Sequence, residues 1–164
     1  MNWYNFVKFL HIIAVVMMIG GIFARQLVRG TAKKSDDVKL VASLTQVAGR
    51  IDRVMVIPGS SVVIVMGIIL AVMIKWPIFG FLQGASQNWL LVSNILLIIG
   101  LSTVFTIFVP HNRKLEPILK TALAEGRITP ELSAALDNKV VRLAHRIAEI
   151  AIIATALLMV LKPF

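Results

Sequence analysis

KFLHIIAVVMMIGGIFAR, residues Lys8 to Arg25, is an apolar run interrupted by a single histidine. Extended back to Tyr4 it covers Tyr4–Ala24, close to the ~20 residues that cross a bilayer core. It does not alternate with period two, so a barrel strand is excluded. A helix follows, because in lipid every backbone polar group needs an internal partner. Three further runs qualify, roughly Val54–Ile74, Leu90–Val109 and Leu143–Leu161. The expected fold is all-α: an integral membrane, antiparallel four-helix bundle forming one domain over residues 1–164.

Composition points the same way. The chain is 58% hydrophobic and 15% charged, with a mean hydropathy of +0.87. A soluble domain is nearer a quarter charged. There is no cysteine, which excludes disulfides, thiolate metal sites and cysteine nucleophiles. The net charge of +9 is a matter of placement, and nucleic acid is not implied. Seven of the 17 basic residues fall between Arg25 and Arg53 and seven between Arg113 and Arg146, with Lys75 alone in the second connection. The positive-inside rule puts the first and third connections in the cytoplasm and both termini outside. Trp3, Tyr4, Trp76 and Trp89 then form an outer aromatic belt. The positive flank follows the first apolar run instead of preceding it, so that run reads as an anchor and not as a cleaved signal peptide.

The connections carry helical patterns of their own. Leu40, Leu44, Val47, Ile51 and Val54 run into the second span, and Leu132, Leu136, Val140, Leu143 and Ile147 run into the fourth. The second and fourth helices should therefore extend into the cytoplasm. Thr129-Pro130 reads as a helix start, and Gly126 as the stop of a short helix over Leu115–Glu125. Pro58 is expected to kink the second span and Pro110 to end the third. Gly59, Gly67 and Ala71 share one face of the second span; Ala144, Ala148, Ala151 and Thr155 share one of the fourth. Small residues let helices approach closely in lipid.

His11 lies on a stripe with Ala14, Met18, Gly21 and Arg25, the face expected to point into the bundle. An ionisable group inside a membrane is by default a functional candidate. The structural alternative is a neutral imidazole hydrogen-bonded to a serine, threonine or carbonyl on a neighbouring helix. His111 and His145 lie near the cytoplasmic ends of the third and fourth spans, where antiparallel packing would permit bis-histidine ligation of a haem iron. Interfacial histidines in basic loops fit the same pattern. Fourteen residues, ~21 Å of helix, separate His11 from Arg25, so it cannot share an iron with either of the others. His145 and Glu149 could bind a divalent metal; ordinary ion pairs of Glu149 with Arg142 or Arg146, and of Asp52 with Arg53, compete with that.

The stretch VKFLHIIAVVMMIGGIFARQLVRG, in a small four-span chain, resembles a family of bacterial predicted integral membrane proteins known as a domain of unknown function. More distantly, Lys8, Leu10, His11, Ile12 and Ile13 are similar to a K-x-L-H-I-I run in the J-type protoporphyrinogen oxidase, a haem-associated membrane enzyme. That resemblance implies His11 as a haem ligand. In the third span the chain lacks the lysine that the oxidase family carries there. Two functions compete: a non-catalytic accessory or structural component of a larger membrane complex, in contact with lipid and with other subunits or a second copy, and a haem b redox protein. A redox protein should hold His11 against a cofactor-sized gap; an accessory subunit should close on Ala14, Gly21, Gly59 and Gly67. Transport would need a path, for which only Lys8, His11, Asn94, Thr103 and Thr106 offer polar groups.

Overall fold

The computed structural model describes residues 2–163 and is all-helical over them. Seven α-helices follow in order: α1 Trp3–Lys33, α2 Val38–Ile51, α3 Ile57–Met73, α4 Trp89–Thr103, α5 Val109–Glu125, α6 Pro130–Leu136 and α7 Lys139–Leu161. A π-helical turn, Asp52–Val56, fuses α2 to α3, and another, Val104–Phe108, fuses α4 to α5. Four long apolar helical stretches result: Trp3–Lys33, Val38–Met73, Trp89–Glu125 and, with a break at Asp137–Asn138, Pro130–Leu161. Each has at least 31 residues, ~46 Å if fully helical against a ~30 Å hydrocarbon core. The surplus lies at the basic ends.

The chain forms two compact units. One runs through Trp76 and takes in Thr121–Ser133; the other comprises Pro77–Lys120 and the described residues from Ala134 onward. In the first unit α1 packs on α3 and on α2. Its tightest burial lies beyond the apolar spans, where Val41 and Leu132 are 0% exposed. Asp37 caps α2 by accepting from the Lys39 amide at 2.8 Å. Thr129 caps α6, its Oγ1 accepting from the Leu132 amide at 3.2 Å, as the Thr129-Pro130 signal predicts. Gly126, with φ +70°, ends the helix after Glu125 by adopting the left-handed conformation that glycine tolerates best.

In the second unit α4 packs on α7. Trp89, Leu90 and Ser93 are buried on α4, and Ala144 and Ala151 on α7. The short connection before α4 is pinned by Asn88, whose Oδ1 accepts from the Phe81 amide at 2.8 Å. A Cβ at Gly80 would collide with that side chain.

Three expectations about helix ends are corrected. The first helix continues nine residues past Ala24 to Lys33, since lysine and arginine are good helix formers. Pro110 does not end the third helix. The π turn before it changes the hydrogen-bond spacing, so the chain passes the proline without the usual break. The lead into the fourth span breaks at Asp137–Asn138. Asn138 is extended and its Oδ1 accepts from the Val140 and Val141 amides at 3.0 and 3.1 Å, starting a new helix.

Candidate functional site

The face of α1 singled out by its polar and small residues is the face that meets α3. Four antiparallel steps define the seam. A Cβ at Gly67 would lie 3.3 Å from Cε1 of His11. One at Gly59 would lie 3.0 Å from the backbone nitrogen of Met18. One at Gly21 would lie 2.8 Å from Cβ of Met55 and 3.0 Å from Val56. At the basic end Arg25 Nη1 meets Asp52 Oδ1 at 2.6 Å. Large side chains on one helix thus fill the space left by glycine on the other. Such close approach is how lipid-embedded helices gain packing energy when no hydrophobic drive exists between them.

His11 is one of the filling side chains. The Val63 backbone carbonyl, one turn before Gly67, lies close enough to bear on the ring. The missing Cβ at Gly67 leaves room for an imidazole near that carbonyl. Nδ1 is the ring nitrogen turned toward Gly67. It is buried and has no hydrogen-bond partner among the described residues. Nδ1 lies 3.8 Å from the Cβ position of Gly67, so it is turned into the seam. A porphyrin does not fit between α1 and α3 at this separation.

The Arg25–Asp52 pair closes the seam where the apolar run gives out, with side chains only 12% and 19% exposed. Arg29 approaches the other carboxylate oxygen at 3.7 Å. Asp52 opens the π turn, so the turn sets its side chain toward α1. The expected Asp52–Arg53 pair is not formed; Arg53 Nε donates to the Gly49 carbonyl at 3.3 Å. Arg142 likewise pairs with Asp137 at 2.8 Å and not with Glu149.

His111 and His145 both fall in the second unit. His145 stacks on Phe108, ring centroids 4.3 Å apart and planes 19° from parallel. His111 lies three residues beyond Phe108 on α5, half-buried. No group of three His, Cys, Asp or Glu side chains that could hold a metal ion occurs among the described residues. The polar groups that a transport path would need are spent locally. Thr103 and Thr106 donate to the Ile99 and Ser102 carbonyls at 2.8 and 2.7 Å. Asn94 donates to the Ile78 carbonyl at 3.0 Å. Ser61 does the same beside the other π turn, donating to Ile57 at 2.9 Å. Each of these hydroxyls bonds back to a carbonyl one turn earlier on its own helix, a local use that leaves no donor for a path.

Sequence reasoning missed the Arg25–Asp52 contact, because two charges 27 positions apart pair only once the helix register is known. The alternation of small and large residues along both helices was the available signal. The chain belongs to the family described as predicted integral membrane protein, DUF2269, which it matches over residues 5–163. No curated protein and no solved structure matches it.

Proposed function

We propose that the chain is a non-catalytic membrane subunit, an accessory or structural component of a larger complex in the bacterial cytoplasmic membrane. The observation that carries this reading is the closed α1–α3 seam. His11, the residue best placed for chemistry, serves as a packing knob on Gly67. Asn94, Thr103 and Thr106 are likewise consumed within their own unit. What the spans offer outward is apolar surface, such as Val16, Leu27 and Val160. The distribution of basic residues supports termini on the outer side.

A second reading, a haem b protein, has one observation in its favour, the unpartnered Nδ1 of His11. His111 and His145 are its other candidate ligands. Holding haem at His11 would require α1 and α3 to separate.

Two experiments decide. An absorbance spectrum of detergent-purified protein, expressed with ample haem and then reduced, should show no Soret band above that of a His11→Leu variant. A band lost on that substitution would establish the haem reading. Native electrophoresis of mild-detergent extracts should place the chain in an assembly larger than its own oligomer, with a stoichiometric membrane partner. Migration at the size of the purified chain would overturn membership of a complex. A cysteine at Ser86, in a chain with none of its own, should react with an impermeant maleimide from outside only; labelling from the cytoplasm would reverse the topology.

A further inference from the structure

The connection before α4 combines an apolar exterior with a backbone that satisfies itself. No Asp, Glu, Lys or Arg occurs between Lys75 and Arg113. Phe79, Phe81 and Leu82 are 53%, 64% and 68% exposed. The polar groups are turned inward instead. The amides of Gly80, Leu82, Gly84 and Ala85 donate to the carbonyls of Pro77, Phe79, Phe81 and Gly80 in that order. That of Phe79 donates to Oε1 of Gln83 at 3.1 Å, and that of Phe81 to Oδ1 of Asn88. A loop in water can leave such groups to solvent, but one in lipid cannot.

Its depth is set by α4. The turn Gly80–Gln83 packs on that helix, and the Ile78 carbonyl accepts from Nδ2 of Asn94 at 3.0 Å. Asn94 stands five residues past Trp89, about 7.5 Å along the axis. The lean of helical side chains toward the N-terminus takes back only part of that distance. The connection therefore runs beside the first turns of α4 and not beyond its end. Trp89, with the Lys162 ammonium 5.8 Å from its ring centroid, marks the boundary level, where aromatic and basic side chains settle.

We infer that residues 77–85 form an interfacial loop inserted into the leaflet at the Lys162 end of α7. Phe79, Phe81 and Leu82 lie among lipid chains just below the headgroups. Two observations make lipid the occupant. The loop is continuous with α4, whose own exposed side chains include Ile95, Ile98 and Leu101. A protein interface carries about one hydrogen bond per 100–200 Å², whereas Gln83 and Asn88 spend their oxygens on the loop itself. The inference rests on the membrane reading; it is independent of which side is cytoplasmic and of any partner subunit.

The test is spin labelling of the full chain in liposomes of phosphatidylglycerol and phosphatidylethanolamine. Phe81→Cys, Leu82→Cys, Ser86→Cys and Ile98→Cys each receive one nitroxide. Its collisions are measured with oxygen, which concentrates in hydrocarbon, and with a nickel chelate confined to water. The Phe81 and Leu82 labels should meet nickel severalfold less often than the Ser86 label, and oxygen at least as often. The Ile98 label, within α4, should show the same contrast more strongly. Loop labels as open to nickel as Ser86 would put the connection in water, as expected of a surface awaiting an absent subunit. Loop labels shielded from both reagents would mean that a second copy covers it. Either result overturns the inference, while an Ile98 label open to nickel would overturn the membrane reading itself. Should Phe81→Cys misfold by circular dichroism, Leu82→Cys decides alone.

Discussion

The two units pair apolar helices of similar length by different means. Between α1 and α3 the contact is glycine against backbone, with Met18 main-chain atoms 3.0 and 3.1 Å from where a Cβ of Gly59 would stand. Between α4 and α7 it is made by rings. Trp89 is buried beneath Lys162, 5.8 Å from the ring centroid, and Phe108 stacks on His145 near the opposite end. A backbone neighbour cannot yield to an added atom, whereas a ring can tilt or be replaced by another apolar group. The first pair should therefore tolerate almost no change on its contact face, and the second should lose stability by degrees.

Substitutions can break or sharpen that contrast, each read as the midpoint of unfolding in detergent. The largest effect is expected from Asp52→Ala, which strands the Arg25 guanidinium in a largely buried position. Losing one partner of such a pair costs about 3–5 kcal/mol, and a loss under 1 kcal/mol would show that glycine contact alone closes the basic end. Gly59→Ala should cost about 1–3 kcal/mol by overpacking; no change would mean that α1 is free to move away. Phe108→Leu should cost about 1 kcal/mol, the worth of a ring contact beyond its area. If it exceeds Gly59→Ala, the contrast between the units fails. Smallest is Gly100→Ala, where nothing stands within 4 Å. It should stabilise by about 0.5–1 kcal/mol through helix propensity, in the same helix whose ring contacts are sensitive.

The four spans were legible because a bilayer imposes one length on every apolar run, and the family match over residues 5–163 agrees. Helix ends were less so. Arg25 ends the apolar run, but α1 continues to Lys33. The rule that proline stops a helix assumes an unbroken α ladder, and the turn just before Pro110 is π. At Asn138 the apolar spacing of Leu136, Val140 and Leu143 ran on through a residue whose side chain caps a fresh helix. The small-residue face of α3 was read correctly, with Gly59 and Ala71 buried. That Gly67 receives His11 depends on the offset between two helices, which no single helix encodes.

Both π turns precede a proline by the same interval, Asp52–Val56 before Pro58 and Val104–Phe108 before Pro110. Such a turn holds one residue more than the α ladder on either side, and one residue is about 100° of rotation. It therefore absorbs one residue's phase between two halves of one rod. Removing one residue from Asp52–Val56 would let the turn close to α and keep Gly59 against Met18 with Val41 and Ala48 facing as they do now, whereas the same deletion within α2 would swing the residues before it by about 100°. Each π turn is thus a place where the loss of one residue leaves the fit along both halves of the rod intact, and the same loss elsewhere in the rod does not.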